Sequence, residues 1–88
     1  MISMEIMLDN DKIQESNYTE AQLWEMIHNV MTADSIEIKT TGQYENESMG
    51  KFAMVIEDLI YNANWFRPIV KKWTWNVNGT VENLLEVF

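Results

Sequence analysis

The chain is 88 residues long, 47% apolar, with ten aromatic residues, no cysteine, and fourteen acids against six bases for a net charge of −8. Size scaling gives a chain of this length one core, burying roughly 60 to 65% of its unfolded surface, so a single domain over residues 1–88 is expected. The composition excludes a disordered chain, a disulfide scaffold and thiolate metal sites, and no run approaches the ~18 uninterrupted apolar residues of a membrane span.

In chain order, Ile2, Met4, Ile6 and Leu8 alternate with Ser3, Glu5 and Asp9, which predicts a strand with one buried face, interrupted on its polar side by Met7. No basic residue precedes these apolar ones, so no signal peptide is read here and a cytoplasmic location is expected. After a polar stretch, Thr19 and Gln22 have the spacing of a capping box, and Tyr18 with Leu23 that of a hydrophobic staple. Leu23, Met26, Ile27, Val30 and Met31 then follow one apolar helical stripe to about Thr32.

Ile36, Ile38 and Thr40 alternate with Glu37 and Lys39 as a second strand, reached through an Asp34-Ser35 turn, and Thr41 to Tyr44 could extend it. Asn46 or Ser48 opens a second helix carried by Met49, Phe52, Ala53, Ile56, Leu59, Ile60 and Ala63. It is expected to stop near Phe66, because Pro68 lacks an amide donor and disfavours a helical Arg67. Residues 69–77 alternate as a third strand with Trp73 and Trp75 on one face. Asn78-Gly79 then signals a hairpin, which would make Thr80 onward a returning strand. Val81, Leu84, Leu85 and Phe88 instead keep helical spacing, and a short helix is the preferred reading of residues 80–88.

Three N-x-S/T triplets, at Asn17, Asn46 and Asn78, each precede a helical pattern and are read as helix-start punctuation. The whole gives an α+β fold in β-α-β-α-β-α order: a small two-layer domain with a three-stranded sheet, three helices on one face, and a strand order that the sequence leaves open. A sheet that leaves one face and two edges bare gives the chain a motive to pair with a copy of itself as a homodimer.

Little of the chemistry of sites is present. His28 is the one histidine, with no cysteine, second histidine or serine-nucleophile motif beside it, so no enzyme is expected. Asp9, Asp11 and Glu20 fit positions 1, 3 and 12 of a calcium loop, but Ile13 and Gln14 stand where an oxygen ligand and the turn glycine belong. Gly42 and Gly50 belong to no phosphate-binding motif. Neither metal nor cofactor is therefore expected. Arg67, Lys71 and Lys72 border Trp73 and Trp75, yet three bases do not offset the anionic remainder, so direct nucleic-acid binding is not expected either. Both tryptophans are expected to pack inside, and one left exposed would anchor a protein partner.

What remains is the charge itself. Residues 1–66 hold twelve acids and three bases, a field that repels nucleic acid and membrane surfaces and favours a protein partner with a basic surface. The expected function is protein-protein binding. In its limiting form the chain would be an inhibitor or decoy on a nucleic-acid-binding surface, by analogy of charge and size with small acidic inhibitors of phages and mobile elements. The candidate contact residues are Glu45 and Glu47, Glu57 and Asp58, Asp9, Asp11 and Glu15, with Trp73 and Trp75 as anchors. The alternative is an assembly module that self-associates through the aromatic strand or the terminal helix, its acids serving solubility.

Overall fold

The computed structural model describes residues 1–88, and in it the first alternating segment becomes the middle of a sheet. Strand β1 (Ile2–Leu8) buries Ile2, Met4 and Ile6 and turns Ser3, Glu5 and Met7 to the other side. On one flank it pairs with β4 (Val70–Val77), on the other with β3 (Gln43–Asn46). Strands β2 (Glu37–Thr40) and β5 (Thr80–Asn83) form the two edges, and every pairing is antiparallel.

The expected three-stranded sheet with three helices is therefore corrected to a five-stranded antiparallel sheet, ordered β2-β3-β1-β4-β5, with five helices. Two tight turns supply the extra strands. Gly42, at φ +89°, reverses the chain between β2 and β3. Asn78 and Gly79, at φ +53° and +94°, have the positive angles of a type I′ hairpin turn, which returns Thr80–Asn83 alongside β4. The helical spacing at residues 80–88 thus holds only for its second half, the single turn α5 (Leu84–Val87).

Helix α1 (Asn10–Glu15) follows β1 and is capped by Asp9, whose carboxylate accepts from the main-chain N–H groups of Asp11 and Lys12. Helix α2 (Glu20–Ala33) begins with the expected capping box: Gln22 N–H donates to Thr19 Oγ1, and Thr19 N–H donates to Gln22 Oε1. Its far end is a Schellman motif, in which Ile36 N–H reaches the Met31 carbonyl and Ser35 N–H the Thr32 carbonyl, with Ser35 at φ +58°.

Helix α3 (Met49–Glu57) is capped by Ser48, buries Phe52, Val55 and Ile56, and widens into a π-helical turn at Asp58–Asn62. It ends earlier than expected, because Ala63 leaves the helical region at φ −123°, ψ 74°. Pro68 then sits inside the one-turn helix α4 (Phe66–Ile69), where a first-turn N–H would have no helical acceptor in any case. Of the three triplets read as helix starts, Thr19 and Ser48 are caps, whereas Thr80 opens a strand.

Eighteen buried apolar side chains form one core between the helices and one sheet face, with Trp73, Tyr44, Phe52 and Phe66 the largest. The opposite face carries Glu5, Gln43, Glu45, Lys72, Thr74 and Asn76. No helix is long and apolar enough to cross a membrane.

Candidate functional site

The last two elements create a surface that neither has alone. Residues Ala53, Ile56, Glu57, Ile60 and Tyr61 lie at helical spacing on α3 and its π turn, so they share one stripe. Across from them, the hairpin returns Glu82 on β5, and α5 supplies Leu84, Val87 and Phe88. These residues and Trp75 line a groove of about 310 Å³, in which Glu57 and Glu82 are the charged members. Tyr61 is 76% exposed, Val87 55% and Phe88 47%, so the groove's apolar side chains reach solvent. Trp75 contributes a further oddity, since its indole N–H is buried and has no acceptor within the chain.

One turn of helix is too short to hold itself, and docking explains why α5 forms. Leu84 is buried, Asn83 caps the turn through Leu85 N–H, and Arg67 donates to the main-chain oxygen of Phe88. The Phe88 ring lies 6.4 Å from that of Trp73. Trp73 is itself core: it is 0% exposed, donates its indole N–H to Met4 Sδ at 3.3 Å, and meets Phe66 edge to face at 5.1 Å. It therefore offers no surface to a partner. Trp75 is half-buried and keeps part of its side chain at the groove.

The acidic candidates are not gathered in one place. Asp9, Asp11 and Glu15 belong to α1, where Asp9 is engaged as the cap and Glu15 faces Lys12 at 3.8 Å. Glu45 lies on the bare sheet face, paired with Lys39 at 3.2 Å, and Glu5 beside it pairs with Lys72. Those side chains line a polar trough of about 400 Å³. It is larger than the groove, but its two carboxylates are already matched by lysines, as on an ordinary solvated antiparallel sheet face. Glu47 is exposed before α3.

Glu57 and Asp58 stand at the far end of α3, where Asp58 accepts from the Asn62 side chain. Burial, and secondarily the nearby Asp58 charge, raise Asp34 above the ordinary carboxylate range. One Asp34 carboxylate oxygen is buried without a donor. Asp34, Glu57, Asp58 and Glu82 thus have no ion pair, whereas on the bare sheet face Glu5 and Glu45 are matched by lysines and Glu37, opposite Glu45 in register, is not.

His28 is held in a structural contact. Its Nε2 lies 3.0 Å from Tyr44 Oη, which also accepts the Gly42 N–H at 3.2 Å. Burial lowers the His28 pKa below the usual 6.5 and pushes Tyr44 up to about 12, so at neutral pH the pair is an uncharged imidazole hydrogen-bonded to a neutral hydroxyl. No group of three His, Cys, Asp or Glu side chains is placed to hold a metal ion. Comparison with family models, curated proteins and solved structures gave no match.

Sequence reasoning named Glu57 and Trp75 but missed Ile60, Tyr61, Glu82 and Val87. Their shared groove depends on the hairpin at Asn78-Gly79, and the competing helical spacing concealed it.

Proposed function

We propose that this protein is a non-enzymatic protein-binding module, working in the cytoplasm, whose docking surface is the acid-rimmed apolar groove between α3 and the C-terminal hairpin. One observation carries the reading: exposed aromatic and aliphatic side chains lie there beside two carboxylates with no lysine or arginine among the lining residues. Apolar anchors supply affinity, and unmatched charge supplies selection and association rate, so the surface favours a basic partner.

The decoy version, in which carboxylates stand in for a row of phosphates, has less behind it. Lysines match Glu5 and Glu45 on the sheet face, and the acids of α1 lie on a different element from Glu57 and Glu82. Inhibition would follow where the partner's docked segment is also its own working surface.

The test is capture of a partner on immobilised protein. Wild type and an Asp11→Lys/Glu15→Lys variant should retain the same partner, released by rising salt, whereas Glu57→Lys/Glu82→Lys should lose it. Retention by the groove variant, or release that ignores salt, would overturn the proposal.

A further inference from the structure

Resting on that reading, we infer that the groove's occupant is an amphipathic basic helix of a partner protein, with aliphatic side chains seated on Trp75 and its cations beside Glu57 and Glu82. Shape gives the first reason. The stripe from Ala53 to Tyr61 covers nine residues, on the order of 10 Å of helix, which matches anchors at i, i+3, i+4 and i+7 on an incoming helix. A volume of about 310 Å³ is at the small end for a ligand pocket, suited to a few side chains more than to a cofactor.

Charge gives the second reason, and it selects among occupants. A second copy laid groove to groove would gather four carboxylates in one interface with no lysine or arginine from either lining to match them, in a molecule whose net charge is already −8. Like charges facing each other across a desolvated apolar surface oppose that pairing. An acidic or neutral helix would leave both carboxylates unmatched at the rim. A helix flanked by lysine or arginine on both sides of its apolar stripe matches them and covers Tyr61, Val87 and Phe88.

The test uses synthetic peptides of about 16 residues, long enough to hold a helix. One is built of Leu and Lys with the apolar residues in a helical stripe. A second has the same composition scrambled to destroy the stripe, and a third replaces Lys by Glu. Titration into the full chain is followed by calorimetry and by the indole N–H resonance of Trp75.

The striped basic peptide should bind at least about tenfold more tightly than the scrambled one and shift the Trp75 resonance, with no binding of the acidic peptide. Ala53→Trp, placed at an exposed helical position, should weaken the striped peptide by about tenfold while leaving the circular dichroism melt intact.

Equal affinity for striped and scrambled peptides, or shifts confined to α1 or the bare sheet face, would overturn the inference. So would shifts at the groove that grow with protein concentration before any peptide is added, the mark of a second copy. If a captured native partner survives Ala53→Trp but not Glu57→Lys/Glu82→Lys, helix insertion is wrong and charge-led binding stands. If it survives both, the docking reading itself fails.

Discussion

Glu57 at the end of α3 and Glu82 on the edge strand β5 line the same groove, although only the Asn78-Gly79 hairpin brings Glu82 there. Both are exposed and neither is matched by a basic residue in the groove lining. Carboxylates that stabilise nothing within the chain can be replaced without loss of fold. The Glu57→Gln/Glu82→Gln variant should unfold in urea within about 0.5 kcal/mol of wild type, the usual range for surface substitutions, yet lose most of its affinity for a basic partner. A large loss of stability would show that the pair is structural.

Gly42 occupies a position that no other residue fits. A Cβ there would stand 2.6 Å from the Ile6 carbonyl oxygen, and φ is +89°. The Gly42 carbonyl also accepts the Ile6 N–H at 2.8 Å, so the turn cannot back away without breaking a bond to the central strand. Gly42→Ala should destabilise the fold by roughly 2 kcal/mol or more, read as a fall in the urea midpoint at constant m-value.

The parts of the fold that were legible in the sequence are those where one residue pattern had one meaning. β1 spans Ile2–Leu8 as its alternation predicts, and α2 starts where Thr19 and Gln22 place it. β4 follows Pro68 almost as drawn. The short elements were not legible, because each buries too little to leave a period. α1 buries Ile13 alone, and β3 buries Tyr44 alone. At the C-terminal end two patterns competed. Val81 has helical spacing with Leu84, but in the structure it is 63% exposed on the hairpin while Leu84 is core, so the turn chemistry of Asn78-Gly79 overrides the spacing. The candidate site was half visible for the same reason: Glu57 and Trp75 lie on elements that periodicity finds, Glu82 on one that it hides.

Ser35 holds the left-handed position of the α2 Schellman motif at φ +58°, where glycine carries no steric penalty. Ser35→Gly should raise stability by up to about 1 kcal/mol, the strain of a left-handed non-glycine residue less the entropy that glycine loses on folding. Thermal and urea denaturation should agree on the sign.

His28 ties stability to pH. Burial depresses its pKa in the folded state below the 6.5 of the free side chain, so below that pH the unfolded chain binds the extra proton first. The contribution of a neutral His28 is fully present above pH 6.5 and is lost as pH falls through the lower, folded value. His28→Gln keeps an amide able to donate to or accept from Tyr44 Oη and removes the titration. The difference in unfolding free energy between wild type and this variant should be flat above neutrality and should move against wild type below it. An unchanged difference across that window would contradict the burial of the His28 ring.

Hydrogen-exchange footprinting of the protein with its captured partner tests the docking groove most directly. Protection on binding should fall on residues 53–61 of α3 and its π turn and on residues 80–88, with β2, β3 and α1 unchanged. Protection centred on α1 or on the bare face of β1 and β3, with the groove exchanging as in the free protein, would contradict the account.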